Sequence, residues 1–105
     1  MAPIMAQASE RRGLHRRGIA VEGELCSIRL GRSSCAVVDL SPTGCRVIRT
    51  PRLAPEDRVM LRLPSFAPRG ARVAWWRDGI AGLEFGTPLG TAVVDHIVAR
   101  HGTRD

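Results

Sequence analysis

The chain has 105 residues, 44% of them hydrophobic and 25% charged, a composition typical of one small soluble globular domain. No window approaches the run of about 18 apolar residues that a transmembrane helix requires, so we expect no membrane span. The formal net charge is +6, and all 16 basic residues are arginine, which favours anionic ligands without naming one.

The chain begins with a weakly apolar leader, followed by a cluster of arginines. Residues 1–9 lack the basic segment and apolar run of a signal peptide, so we expect a disordered leader. The stretch ERRGLHRRG, residues 10–18, then places four arginines within seven positions. Taken alone, this cluster fits a solvated basic surface, an arm that binds nucleic acid, or a site for one phosphate-bearing ligand.

Alternating apolar and polar residues predict six strands joined by short turns. In residues 19–30, Ile19 and Val21 fall on one face of the predicted strand, whereas Cys26, Ile28 and Leu30 fall on the other. This change of face near Gly23 predicts a bulge or bend. The clearest alternation is Arg58–Leu63, a half-buried strand. The other predicted strands are CAVVDLS (35–41), CRVIRT (45–50), ARVAWW (71–76) and IAGLEF (80–85), and the predicted turns are GRSS, PTG and RDG.

The same alternation assigns the two tryptophans to opposite faces. Val73 and Trp75 share a parity, so we expect Trp75 to anchor the core. Trp76 then lies on the outer face, in a position to stack on a ligand or contact a partner.

The last segment, residues 91–101, changes to helical spacing of its apolar residues. Thr91 or Thr87 is expected to cap the helix at its N-terminus, and Gly102 follows its end. Six strands and one helix predict a mostly β protein, a small six-stranded antiparallel β-barrel with a C-terminal α-helix. This single domain is expected to span residues 10–102, with a tail at 103–105.

Signatures of catalysis are missing from the sequence. Neither His96 nor His101 is paired with a cysteine or carboxylate at catalytic spacing, and no P-loop, GxSxG or HExxH motif occurs. Cys26, Cys35 and Cys45 have spacings that fit neither a metal knuckle nor a disulfide framework. We therefore expect a non-enzymatic cytoplasmic protein with no cofactor or metal, and with reduced, mostly buried cysteines.

Two motifs, taken together, carry more information than either does alone. Arg12 and Arg16 stand four positions apart as RxxxR, and DLSPTG, residues 39–44, follows as [D/N]xSxxG. In this order, before alternating strands that end in VAWW and GLEF, they resemble the PilZ family of cyclic di-GMP receptors. The resemblance covers about residues 10 to 100.

The resemblance implies a receptor that binds cyclic di-GMP and relays its level to a separate, unidentified effector protein. A mobile arginine segment, roughly residues 8–18, is expected to close over the nucleotide, which would lie against the barrel near Asp39. The expected ligand contacts are Arg11, Arg12, Arg16, Arg17, Asp39, Ser41 and Gly44.

The chemistry of these residue types fits such a ligand. A guanidinium binds either a phosphate or the O6/N7 edge of guanine through two hydrogen bonds. The Asp39 carboxylate accepts hydrogen bonds from the N1–H and N2–H groups of guanine, which a site for phosphate alone does not need. Ser41 can add a hydroxyl contact, and Gly44 permits a positive φ and close backbone approach. In the family that the sequence resembles, the residue just before the first motif arginine helps set whether one nucleotide or a stacked pair is bound. Here that residue is Arg11, which is able to reach a second ligand, so the resemblance implies two nucleotides per protomer.

Two other functions stay open at this point. A small basic β-barrel binds single-stranded nucleic acid through charge and exposed aromatic residues such as Trp76. Alternatively, the fold serves as an interaction adaptor that binds no nucleotide. If the protein is instead a receptor for cyclic di-GMP, no specific nucleic acid is expected as a partner.

Overall fold

The structure of the protein is a computed structural model, which describes residues 16–103. Its six strands and one helix confirm the predicted order of elements. In chain order they are β1 (Arg17–Ser27), β2 (Gly31–Ser41), β3 (Gly44–Ile48), β4 (Arg58–Arg62), β5 (Arg69–Arg77), β6 (Ile80–Phe85) and α1 (Thr91–His101).

The six strands close into an antiparallel barrel in the order β1-β2-β3-β6-β5-β4. Alternate residues of each strand point inward, and in a barrel this small they must be apolar because side chains fill the interior. Val59 and Leu61 on β4 and Leu83 and Phe85 on β6 are buried there, as the alternation predicts. The mostly β fold with one C-terminal helix is therefore confirmed.

The predicted change of parity near Gly23 is wrong. Leu25 fills the core, in phase with Ile19 and Val21, while Ile28 is fully exposed. The irregularity of β1 lies earlier, between Gly18 and Val21. Gly23 instead lies where β1 and β4 approach closely, since a Cβ there would be 2.8 Å from the Arg62 carbonyl oxygen.

The turn between β1 and β2 lies before the GRSS segment rather than within it. Ile28, Arg29 and Leu30 form the turn, and β2 already begins at Gly31. Gly31 has φ +71°, a left-handed conformation that glycine adopts without a steric penalty. The RDG turn is confirmed: Asp78 and Gly79 both have positive φ, as a two-residue hairpin of this sequence requires.

The two tryptophans exchange the faces that alternation predicts. The register between β5 and β6 shifts after Val73, so that Trp75 lies opposite Gly82 and Trp76 opposite Ala81. This bulge places one extra residue in β5 and reverses the parity beyond it. Trp75 is therefore 43% exposed, whereas Trp76 packs against the core.

Helix α1 packs Val94 and Ile97 against the barrel. Its N-cap is Gly90, not Thr91 or Thr87, and no side chain caps it; the Gly90 carbonyl accepts hydrogen bonds from Val93 N and Val94 N. Gly102 follows the helix, as expected, and pairs with Ile19 of β1.

Two further observations complete the fold. Cys35 and Cys45 are buried and Cys26 is half-buried, and all three are free thiols. Among residues 16–103, no helix has the length and apolar character needed to cross a membrane.

Candidate functional site

Asp39 lies on the outer face of the barrel, near the end of β2. The register between β2 and β3 shifts between Val37 and Asp39, so Val37 and Leu40 both point into the core and Asp39 points out. Asp39 is nevertheless only 7% exposed. It is a buried acid on the outside of a sheet, which requires compensating partners.

Two arginines supply those partners. The Arg16 Nη1 atom lies 2.8 Å from Oδ1 of Asp39, and the Arg46 Nη2 atom lies 3.0 Å from Oδ2. Each guanidinium is about half exposed. The carboxylate therefore fixes one end of each arginine, and both guanidinium groups keep donors that face solvent.

The cross-strand register extends this group into a row across the outer face. Gly18 of β1 lies opposite Asp39, Asp39 opposite Arg46, Arg46 opposite Gly82 of β6, and Gly82 opposite Trp75 of β5. Paired residues in an antiparallel sheet point to the same side. We call these five residues the outer row.

The outer row combines an acidic, a basic and an aromatic side chain: Asp39, Arg46 and Trp75. At a strand spacing near 4.8 Å, Asp39 and Trp75 are separated by three strand intervals, roughly 14 Å along the curved sheet. The Trp75 indole lies over Gly82, where a Cβ would be only 2.2 Å from its Nε1. Glycine thus gives the ring room to lie on the sheet beside Arg46.

The PTG turn beside Asp39 is organised by Ser41. Its Oγ accepts hydrogen bonds from the backbone N–H groups of Thr43 and Gly44, each at 3.3 Å. Ser41 is buried and its hydroxyl is engaged within the turn, so the structure gives it a role in shaping the loop. Direct contact of this hydroxyl with a ligand stays a prediction.

Gly44 is required for close approach and not for backbone conformation. A Cβ at this position would lie 2.2 Å from the Leu83 carbonyl oxygen of the neighbouring strand β6. Its φ is not positive, so that part of the prediction is wrong. The glycine of the motif brings β3 against β6, and this places Arg46 opposite Gly82.

The arginine cluster is described only in part. Arg16 reaches Asp39, whereas Arg17 Nη1 lies 3.4 Å from Asp95 Oδ1 on helix α1. Arg11 and Arg12 lie outside the described residues. The structure therefore brings Arg16, Asp39, Ser41 and Gly44 together and directs Arg17 towards the helix.

Two residues of the outer row escape prediction from the sequence. Arg46 lies two positions after the glycine of DLSPTG, and nothing in the alternation of β3 distinguishes it from the other arginines. Alternation alone predicts that Trp75 lies in the core, because the bulge in β5 has no clear sequence signal. In the described part of the chain, His, Cys, Asp and Glu residues form no cluster of three or more that could hold a metal ion.

Comparison with known proteins identifies the family of the chain but no individual relative. No curated protein matches the chain significantly. Among protein families, the PilZ domain matches residues 10–100. This range includes the RxxxR motif, the DLSPTG motif, the whole barrel and nearly all of α1. The chain belongs to the PilZ domain family.

Proposed function

We propose that the protein is a receptor for cyclic di-GMP, and that the outer row with Arg16 is its binding site. The observation that carries this proposal is the buried Asp39 carboxylate held between Arg16 and Arg46 on an outer barrel face. Membership of the PilZ family supports the nucleotide class.

The two arginines suit both surfaces of the nucleotide. Their partly exposed guanidinium groups retain donors for a phosphate or for the O6/N7 edge of a guanine. A fixed guanidinium loses less side-chain entropy on binding than a free one. Asp39 thus positions both arginines before the ligand arrives.

Asp39 also has the chemistry to contact guanine directly. A carboxylate has about four acceptor positions, and Arg16 and Arg46 use one on each oxygen. The remaining positions suit the N1–H and N2–H donors of guanine. Adenine has neither donor, so this contact would distinguish cyclic di-GMP from cyclic di-AMP.

Trp75 completes the proposed site as a surface for base stacking. Its indole is 43% exposed and lies beside Arg46 across Gly82. Stacking of a base on an exposed aromatic ring is worth about 1 to 3 kcal/mol in other nucleic-acid complexes.

We further propose that ligand binding is relayed to helix α1 and so to an effector protein. Arg17 contacts Asp95 of the helix, and Thr103 N, beyond the helix end, donates to the Gly18 carbonyl oxygen at 3.1 Å. Gly18 and Arg17 directly follow the arginine motif. A ligand that draws Arg16 towards itself therefore acts on the strand that holds the end of the helix.

The stoichiometry remains a proposal from the sequence. Arg11 would reach a second nucleotide, giving two cyclic di-GMP molecules per protomer. Calorimetric titration that gives two sites for the wild type and one for Arg11→Leu supports it. One site in both proteins contradicts it.

Binding measurements test the main proposal against a basic surface that binds any polyanion. Affinities for cyclic di-GMP, cyclic di-AMP and an oligothymidylate are compared at about 50 mM and about 300 mM NaCl, because contacts with several phosphates weaken steeply with salt. We expect cyclic di-GMP to bind most tightly at both salt concentrations. Tighter binding of the oligonucleotide, falling steeply with salt, would favour a nucleic-acid-binding barrel instead.

The variant Asp39→Ala gives the sharpest test because it makes the protein more basic. A basic surface would bind anions more tightly after this change, whereas the proposed site loses its acceptor and the fixed position of two arginines. We expect at least a tenfold loss of affinity, about 1.4 kcal/mol or more. Asp39→Asn, which keeps the shape, separates the two roles: loss of discrimination against cyclic di-AMP indicates base recognition, and equal loss for both ligands indicates positioning alone.

A further inference from the structure

One cleft on the barrel surface lies away from the outer row. It has a volume of about 570 Å³ and is formed by the β1–β2 turn, the start of β4 and the start of β5. Gly70 in the cleft lies five positions before Trp75 on β5, about 16 Å along the strand. Occupation of one surface therefore leaves the other accessible.

Two large apolar side chains are exposed in this cleft. Ile28 has a relative exposure of 106%, and Met60 is 42% exposed. Isoleucine is a poor turn residue, since turns favour glycine, proline, asparagine, aspartate and serine. Ile28 contributes no burial to the folded domain, so its side chain is free to contact a partner.

The turn that presents Ile28 is held in place by polar contacts. Arg29 Nη2 lies 2.5 Å from Oδ2 of Asp57, and the same oxygen accepts a hydrogen bond from Ala54 N at 2.9 Å. Ser27 Oγ accepts from Leu30 N at 3.0 Å. These contacts order the turn in the free protein, so that binding a partner requires less ordering.

Met60 forms the adaptable wall of the cleft. It lies opposite Gly70 of β5, and its Sδ is 3.7 Å from the position of a Cβ on that glycine. Because Gly70 has no side chain, the thioether spreads over bare backbone. Methionine in such a position accommodates apolar side chains of different shapes.

The charges in the cleft indicate the charge of a matching partner. Arg29 is paired with Asp57, but Arg58 and Arg69 line the cleft without an ion pair to any residue of 16–103. The cleft therefore has excess positive charge beside its apolar walls. An acidic segment that carries apolar side chains matches both features.

We propose that this cleft, which we call the Ile28–Met60 cleft, docks an acidic segment of a partner protein. An apolar side chain of the partner lies between Ile28 and Met60, and its carboxylates contact Arg58 and Arg69. The proposal goes beyond nucleotide binding and stands independently of it, since the cleft shares no residue with the outer row.

Methyl and amide NMR of the full chain tests this proposal with synthetic peptides as probes. The first peptide is Glu-Asp-Leu-Phe-Glu-Asp; in one control peptide serine replaces the two apolar residues, and in the other glutamine and asparagine replace the acids. We expect only the first peptide to shift the Ile28 and Met60 methyl signals, with saturation below millimolar concentration. An oligothymidylate of equal charge is included to test binding through charge alone.

Matched variants identify the surface. Ile28→Ser and Met60→Gln are expected to weaken peptide binding about fivefold, on the scale of burying part of an apolar side chain. The control Ile80→Ser changes an isoleucine that is 38% exposed at the β5–β6 turn, and we expect no effect. Arg58→Gln is compared with Arg32→Gln, which removes the same charge outside the cleft.

Three outcomes overturn the proposal. The first is the lack of any shift at Ile28 and Met60 with the apolar acidic peptide at millimolar concentration. The second is equal binding of the serine-substituted peptide or of the oligonucleotide, which would show a charged surface without apolar recognition. The third is equal loss of binding in Ile80→Ser and Ile28→Ser.

Discussion

Arg46 lies directly opposite Asp39 in the sheet, and its Nη2 is 3.0 Å from Asp39 Oδ2. This pair joins the DLSPTG motif to a residue outside either sequence motif. Since Asp39 also binds Arg16 at 2.8 Å, Arg46 is the structural counterpart of the motif arginine. A binding role for Arg46 is therefore the first prediction of the structure.

Replacing Arg46 with alanine should weaken binding of cyclic di-GMP about tenfold or more. A charge-assisted hydrogen bond contributes about 1.5 to 3 kcal/mol, and the change also frees Asp39 on one side. Arg32→Ala is the matched control, because it removes the same charge from an exposed position at the other end of β2. Calorimetry measures both. Equal losses in the two variants would show that only net charge matters.

Replacing Trp76 should mainly lower the stability of the protein, whereas replacing Trp75 should mainly weaken ligand binding. Trp76 packs against the core, donates from Nε1 to Thr50 Oγ1 at 2.9 Å, and lies 5.3 Å below the Arg52 guanidinium. We expect Trp76→Ala to lower the free energy of unfolding by about 3 kcal/mol. Trp75→Ala should change it by less than about 1 kcal/mol, because the ring is already partly exposed.

Affinity for cyclic di-GMP should fall more in Trp75→Ala than in Trp76→Ala. Trp75→Ala is expected to weaken cyclic di-GMP binding about tenfold, within the range for loss of one stacked base. Urea unfolding and calorimetry on both variants provide the comparison. A Trp75→Ala protein that is folded and binds like the wild type would remove the indole from the proposed site.

Gly44→Ala should destabilise the barrel. The new methyl group would lie 2.2 Å from the Leu83 carbonyl oxygen, so β3 and β6 must move apart. We expect a loss of about 2 to 3 kcal/mol in the free energy of unfolding. Gly86→Ala is the control, since the nearest atom there is 3.8 Å away, and its effect should stay within about 0.5 kcal/mol. Similar urea midpoints for the two variants would contradict the close approach at Gly44.

Alkaline pH should destabilise the protein through its buried thiols. Burial raises the pKa of Cys35 from 9.0 to about 11, and burial also raises the pKa of Cys45. Below pH 9 both states keep the Cys35 proton and stability is complete. Between about pH 9 and 11 the unfolded chain releases this proton while the folded chain retains it, so stability falls.

The composition makes this test unusually clean. The chain contains no lysine and no tyrosine, so cysteines are the side chains that titrate in this window. We expect the free energy of unfolding to fall by on the order of 2 to 3 kcal/mol for a two-unit shift at Cys35 alone. Cys35→Ala should show a shallower pH dependence in urea unfolding. An unchanged slope would contradict the assignment to this thiol.

The sequence by itself determines the class of fold and the position of the motif. Alternation in β4 and β6 predicts their inward residues, because the interior of a small barrel accepts only apolar side chains. The PTG and RDG turns are likewise local, since backbone conformation and short-range hydrogen bonds define them. For the same reason, Asp39 could be placed beside a turn without knowledge of its neighbours.

Only the tertiary structure decides which residues share a face with Asp39. Bulges in β2 and β5 reverse the parity of the residues that follow, which exposes Trp75, packs Trp76 against the core and directs Asp39 outward. The register between strands then places Arg46 and Trp75 in one row with the acid. Bulges and register arise from pairing between residues far apart in sequence. The alternation of apolar and polar residues within one strand does not predict that pairing.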